Sequence, residues 1–137
     1  MYKSIIFDIG GVMVDFDPKA YLVDRLCSAE MEEKVYDLTF GSEEWKKLDA
    51  GLISRFEGNA TMLKNAQAAG CEFEVQGVLD DWTHILRPRH RMIELVRRLK
   101  NHGYCVYYLS NIPEDILELL TARGVLDQFD GGVASCE

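Results

Sequence analysis

The sequence has no hydrophobic run long enough to cross a bilayer, and its amino terminus does not have the pattern of a signal peptide. The first apolar run begins after Ser4 and is broken by Asp8, so it is too short for a signal sequence, and no cleavage site follows it. We therefore predict a cytoplasmic protein that does not bind a membrane.

Clusters of basic residues and paired cysteines are also missing from the chain. With 23 acidic and 15 basic residues among 137, the net charge is -8, and a field of this sign repels the phosphates of nucleic acids. The cysteines lie far apart without a Cys-x-x-Cys pair, so neither a zinc site nor a redox motif is indicated; they are Cys27, Cys71, Cys105 and Cys136. We expect no nucleic-acid partner and four free, buried thiols.

Two short apolar segments, residues 4–7 and 104–109, have the composition of β-strands, and residues 129–134 are predicted to form a third strand. A helix that begins at Pro88 and ends at Gly103 precedes the second strand, and another that ends at Gly124 precedes the third. This alternation predicts parallel strands joined by right-handed crossovers, with helices packed on the sheet. The arginines of the first helix predict a solvated basic face; they are Arg87, Arg89, Arg91, Arg97 and Arg98.

The long stretch between the first two strands has the start and stop signals of helices. Asp17 before Pro18 fits an N-cap followed by the first residue of a helix, and Ser54 with Glu57 forms a capping box for a helix that ends at Gly70. Two further serines followed by acidic residues repeat the N-cap pattern; they are Ser28 and Ser42. Residues 73–86 are predicted to form one more helix. We therefore divide the chain into an α/β core, residues 1–14 and 87–137, and an all-helical insertion, residues 15–86.

Polar residues follow the first two predicted strands, at positions where an open parallel sheet binds its ligands. Asp8 can attack phosphorus there as a carboxylate nucleophile, provided that a cation neutralises the facing charges. The backbone amides around Gly10 and Gly11 can approach phosphoryl oxygens closely, and the hydroxyl of Ser110 and the amide of Asn111 supply further donors. A Ser-Asn pair is also typical of a plain strand-to-helix cap, so this alternative stays open.

Three segments carry a resemblance to a known family. Residues 5–15 (IIFDIGGVMVD) resemble the first motif of the haloacid-dehalogenase-like superfamily, and residues 107–111 (YYLSN) resemble its second. Residues 48–54 (LDAGLIS) are similar to a cap segment of the branch that inserts a helical cap after the first strand. The resemblance implies a Rossmannoid parallel sheet, of which this chain is the amino-terminal part, with an inserted all-helical cap that selects the substrate.

The same resemblance implies a hydrolase chemistry. Asp8 would form an aspartyl-phosphate intermediate and, together with the backbone carbonyl of Gly10, would bind Mg²⁺. The phosphoryl group of a small phosphorylated substrate would contact the remaining site residues, which are Gly10, Gly11, Ser110 and Asn111.

Two departures from the family pattern bear on this chemistry. Most phosphatases of the superfamily have an aspartate at the position of Gly10, where it acts as general acid and base. Glycine occurs in a branch resembling sugar phosphatases and the amino-terminal domain of epoxide hydrolases. The family's lysine motif and its acidic metal-binding pair lie beyond the third strand, where this sequence ends; Lys100, Asp80 and Asp81 do not replace them. We therefore expect weak Mg²⁺ binding, or none, in a truncated chain.

The sequence thus predicts a Mg²⁺-dependent phosphatase of small phosphorylated metabolites. The alternative is a catalytically silent fragment that serves as a binding or assembly module. A phosphoacceptor receiver domain is disfavoured, because receiver domains carry no long helical insertion after their first strand. The family's later strands pair with the far side of the first strand, so their absence predicts self-association or strand exchange through residues 4–7.

Overall fold

The computed structural model describes residues 2–137, which form two compact units. The core unit runs to Phe16 and resumes over Leu86–Glu137, and the helical unit comprises Asp17–Ile85. The insertion predicted over residues 15–86 differs from the helical unit by two residues at one end and one at the other. In chain order the elements are β1 Ser4–Phe7, α1 Pro18–Arg25, α2 Ala29–Leu38, α3 Glu43–Asp49, α4 Arg55–Ala69, α5 Glu72–Asp81, a 3₁₀ turn Trp82–Ile85, α6 His90–Asn101, β2 Cys105–Ser110, α7 Glu114–Ala122 and β3 Gly131–Ala134.

The core unit contains one parallel sheet with the strand order β1-β2-β3. Ile5 pairs with Val106, and Tyr108 pairs with Gly132. The α/β class predicted from the sequence is confirmed. The third strand begins at Gly131, two residues later than predicted. Phe129 lies before the strand, where its ring packs edge-on against Phe7 and Tyr108.

One face of this sheet is covered and the other is exposed. Both crossovers run in the same direction across the sheet, so right-handed connections place α6 and α7 on one face. Val106 and Ala134, on the covered face, are buried. Large side chains on the opposite face are open to solvent, with exposed fractions of 65% for Ile6, 58% for Leu109 and 57% for Val133.

The helices of the helical unit begin where the sequence predicted. The carboxylate of Asp17 accepts a hydrogen bond from the backbone of Ala20 at 3.0 Å, with Pro18 in the first helical position. Ser54 and Glu57 form the capping box of α4, which ends at Gly70 with a φ of 72°. The N-cap serines of α2 and α3 also accept backbone hydrogen bonds as predicted; they are Ser28 and Ser42. The unit closes around buried aromatic rings, among them Phe40, Trp45 and Trp82.

Two predicted helix boundaries were wrong. The helix expected over residues 73–86 ends at Asp81, and a 3₁₀ turn follows it. The helix expected to begin at Pro88 begins at His90, because Pro88 lies in an extended segment that pairs antiparallel with Val14. Val14 pairs with Pro88 across 74 residues and also forms a local parallel bridge with Gly10.

The cysteines are free, but the prediction that all are buried was wrong. Cys71 is buried, whereas Cys27 and Cys105 are exposed. Within residues 2–137 no helix combines the length and the apolar composition that a membrane span requires.

Candidate active site

The carboxyl ends of β1 and β2 bring together two residues that are 102 positions apart in the chain. The hydroxyl of Ser110 donates a hydrogen bond to Oδ1 of Asp8 at 2.9 Å. Ser110 is 6% exposed and closes β2, while Asp8 follows β1 directly. Because β1 and β2 are parallel neighbours, their ends meet at one edge of the sheet, as ligand sites of open α/β sheets do.

The same carboxylate oxygen has a second donor. The backbone N–H of Ile9 reaches Oδ1 of Asp8 at 2.7 Å. Two donors on one oxygen hold the orientation of the carboxylate and stabilise its charge. Among residues 2–137 no donor contacts Oδ2, so this oxygen is the one that can bind a cation or attack an electrophile.

Gly10 and Gly11 differ in what their amides can do. The N–H of Gly11 donates to the carbonyl of Val14 at 2.8 Å, so it is not available to a phosphoryl oxygen. The N–H of Gly10 has no acceptor within the described part of the chain, and no atom lies within 4 Å of the place that a β-carbon on Gly10 would occupy. The expectation of two donor amides therefore reduces to Gly10, whereas Gly11, at φ +73°, allows the turn.

Ser110 and Asn111 do not form the strand-to-helix cap that the sequence left open. The N-cap of α7 is Pro113, and no side chain accepts a capping hydrogen bond there. The Ser110 hydroxyl is directed to Asp8 instead, and Asn111 is exposed next to it. The backbone of the next residue, Ile112, is fixed by a different contact, in which its N–H donates to Oγ of Ser135 at 3.1 Å.

The described residues offer few ligands for a metal ion. No group of three or more histidine, cysteine, aspartate or glutamate side chains occurs among residues 2–137. The loop supplies the Asp8 carboxylate and the Gly10 carbonyl, whereas Mg²⁺ is held octahedrally by six oxygens, some of them from water. These two groups alone do not fit a firmly held Mg²⁺.

The other charged residues considered from the sequence have partners elsewhere. Lys100 lies 2.9 Å from Asp130, and the pKa of Asp130 is held below its ordinary value by the backbone N–H of Val106 and by Lys100. In the helical unit Asp80 accepts a hydrogen bond from Gln76. Asp81 accepts hydrogen bonds from Tyr21 and Arg25, both in α1.

One residue at the site was missed by sequence reasoning. Arg89 was predicted to belong to the solvated basic face of α6, but its Nε donates to Oδ1 of Asp15 at 2.7 Å and its Nη1 donates to the carbonyl of Gly11 at 2.5 Å. Its position before α6, rather than within it, separates it from the other arginines. No local pattern marks this contact, because its partners are 74 and 78 residues away.

The fold of this chain is similar to that of solved structures. A haloacid-dehalogenase-family enzyme of Bacteroides thetaiotaomicron, crystallised with magnesium and inorganic phosphate, has a TM-score of 0.67 and 18% identity, over 99% of this chain and 70% of that one. A predicted hydrolase of this family from Porphyromonas gingivalis has a TM-score of 0.65 and 22% identity, over 99% of this chain and 67% of that one. The chain has the haloacid-dehalogenase-like fold that its motifs predicted, whereas the branch suggested by the cap segment stays a prediction.

A curated relative is more similar in sequence. The chain is 32% identical over 135 residues to the sesquiterpene phosphatase AstK of Aspergillus oryzae. The match covers 98% of this chain and 64% of that protein, so the chain spans less than two thirds of the relative's length. No protein-family model matches the chain.

Proposed function

We propose that the protein is a phosphatase that transfers the phosphoryl group of a small ester to Asp8. The observation that carries this proposal is the contact between Asp8 and Ser110, because it fixes one carboxylate oxygen and leaves the other for attack. The name of the curated relative, a sesquiterpene phosphatase, supports the same reaction class.

The proposed reaction has two steps. Oδ2 of Asp8 forms a bond to phosphorus while the ester P–O bond breaks, and the alcohol leaves with the electron pair and takes a proton. Water then attacks phosphorus, breaks the bond to Asp8 and releases inorganic phosphate. Gly10 has no side chain that can exchange these protons, so we expect water to supply the first and accept the second.

Magnesium belongs to this proposal as a cofactor for which the described residues would supply only part of the ligands. The carboxylate of Asp8 and the carbonyl of Gly10 would be its protein ligands, and when bound it would neutralise the charges that meet at the site. The structural neighbour from Bacteroides thetaiotaomicron was crystallised with magnesium and inorganic phosphate, which supports this choice of metal.

For the substrate we propose a small phosphorylated metabolite with an apolar alcohol part. Large apolar side chains of the helical unit are open to solvent, with exposed fractions of 74% for Leu52 and 85% for Phe56. They flank Ser54, the N-cap of α4; Leu52 lies within the segment that resembles a cap of the family, and Phe56 lies in the first turn of α4. The sesquiterpene in the name of the curated relative is an apolar group of this kind.

A catalytically silent binding or assembly module is the second candidate, and the sparse metal ligands favour it. A panel of terpenyl, sugar and aryl phosphates, assayed with and without Mg²⁺ on the 137-residue chain and on any longer form, tests the choice. Turnover that Asp8→Asn abolishes while the urea midpoint is unchanged supports the phosphatase. Absence of turnover with every ester supports the silent module.

We also propose that the chain associates with a second copy through β1. Its free edge and the exposed side chain of Ile6 support this proposal. The cytoplasmic location stays a prediction.

A further inference from the structure

We propose that Arg89 is a positioning residue that fixes the loop between Asp8 and Asp15 for phosphate binding. This inference rests on the proposed phosphatase function. Arg89 itself would not touch the reacting atoms, since its guanidinium is bound to a backbone carbonyl and to a carboxylate of the loop.

Arg89 makes three contacts with alternate residues of this loop. Its backbone N–H donates to the carbonyl of Met13 at 2.8 Å, its Nη1 donates to the carbonyl of Gly11, and its Nε donates to Asp15. The backbone N–H of Asp15 donates in return to the carbonyl of Arg87 at 2.8 Å. One residue before α6 therefore holds the loop over its whole second half.

The contact with Gly11 matters because of what lies on either side of it. Gly11 has a φ of +73° and no side chain, so its backbone is held by hydrogen bonds alone. A charged donor on its carbonyl helps to set the plane of the Gly11–Val12 peptide, whose Val12 N–H donates to the carbonyl of Ile9 at 3.2 Å. The Ile9 carbonyl and the Gly10 N–H belong to one peptide, so the contact with Arg89 is linked through it to the Gly10 amide, which has no acceptor among residues 2–137.

Arginine is suited to this task and lysine is not. Nε and Nη1 lie at different positions of a rigid, planar group, so one side chain can hold two separate acceptors in a fixed geometry. A lysine ammonium could reach one of them without fixing the angle between both. The Arg89 and Asp15 side chains are 43% and 51% exposed, and an ion pair with this exposure contributes little to stability, so the contact is better explained by positioning.

The first experiment compares Arg89→Ala with Arg91→Ala in the phosphatase assay. Arg91 lies two residues further on, in the first turn of α6, is exposed, and has no hydrogen-bond or ion-pair partner in the described part of the chain. Loss of a supporting contact of this kind typically lowers activity or affinity by 10- to 100-fold, so we expect kcat/KM of Arg89→Ala to fall about tenfold. Added guanidinium should restore part of this loss, Arg89→Lys should restore little, and Arg91→Ala should equal the parent.

The second experiment does not need turnover. The ¹⁵N and ¹H shifts of the Gly10, Gly11 and Val12 amides should move in Arg89→Ala, return toward the parent values on addition of guanidinium, and stay unchanged in Arg91→Ala. If the chain hydrolyses no ester, the proposed function fails while this measurement still decides the role of Arg89. Unmoved loop amides in Arg89→Ala, or an equal loss of kcat/KM in Arg91→Ala, would overturn the inference.

Discussion

At the scale of single residues, the site depends on a difference between the two carboxylate oxygens of Asp8 in their hydrogen bonding. Oδ1 accepts from the hydroxyl of Ser110 and from the backbone of Ile9, whereas Oδ2 has no donor within residues 2–137. A carboxylate that is free to rotate would present either oxygen and would lose alignment with phosphorus. The Ser110 hydroxyl therefore contributes orientation as well as charge stabilisation.

Ser110→Ala is expected to lower kcat by about 10- to 100-fold, in the range seen when one preorganised donor is removed from an active site. The fold should persist, because alanine fits the buried end of β2 and leaves no large cavity. Steady-state kinetics with an aryl phosphate would measure the change, with the exposed N-cap variant Ser28→Ala as control. A kcat within twofold of the parent would remove Ser110 from the mechanism.

Asp49, at the end of α3, should make stability depend on pH. Burial raises the pKa of its carboxyl to about 6, although the nearby Arg55 acts in the opposite direction. The unfolded chain releases this proton near pH 4, so ionisation between pH 4 and pH 6 disfavours the folded state, and the group's destabilising effect is complete above pH 6.

Asp49→Asn should therefore raise the free energy of unfolding at pH 7 by about 1 kcal/mol, a figure reduced for the partial exposure of the side chain. The difference between variant and parent should shrink as the pH falls from 6 to 4. Urea unfolding at pH 4, 5 and 7 would measure it. A difference that stays constant with pH would show that Asp49 ionises in the folded protein as it does in the unfolded chain.

The sequence identified Asp8 and Ser110 as candidate site residues but did not identify Arg89. The first two follow apolar runs with strand composition, and parallel pairing then brings strand ends together. Arg89 contacts loop residues more than 70 positions away, and no periodicity within one sequence joins such positions. The amide of Gly11 was assigned to phosphate because glycine allows close approach, yet its own turn uses that N–H.

At the scale of elements, the helix start signals were the most dependable part of the sequence. Helix caps form through hydrogen bonds between residues at most three positions apart, so the local sequence is enough to predict them. The boundary at Pro88 failed because proline suits both a first helical turn and an extended edge segment, and a distant partner, Val14, decides between the two.

Ser54→Ala should weaken the helical unit by about 1 kcal/mol, since the Ser54 hydroxyl accepts the N–H of Glu57 at 3.2 Å and the capping box is lost with it. The catalytic parameters should change little. Urea midpoints of Ser54→Ala and of the exposed control Gln67→Ala would be compared with the parent. Equal midpoints for Ser54→Ala and the parent would contradict the contribution assigned to this cap.

At the scale of the whole molecule, the core unit has a sheet with one bare face and a free first strand. Parallel sheets are normally covered on both faces, and an open edge offers unpaired N–H and C=O groups to another chain. The chain covers 64% of the curated relative and 67 to 70% of the two solved structures compared. Exposure of this surface is the physical basis for the expected association of copies.

We expect the mass of the 137-residue chain in light scattering to rise with concentration. Ile6→Lys should reduce the association, because it places a charge on the bare face next to the free edge. Val23→Lys provides the matched control, since Val23 is 58% exposed but belongs to the helical unit. A concentration-independent monomer with slow amide exchange at Ile5 and Ile6 would show that β1 needs no partner.

The covalent state of Asp8 during turnover tests the central claim most directly. The protein would be mixed with Mg²⁺ and an aryl phosphate, quenched in acid, digested and examined by mass spectrometry. Phosphoryl transfer predicts the added mass of one phosphoryl group on the peptide that contains Asp8, and its absence from Asp8→Asn. Turnover without this adduct, or with the phosphoryl group on another residue, would contradict the account.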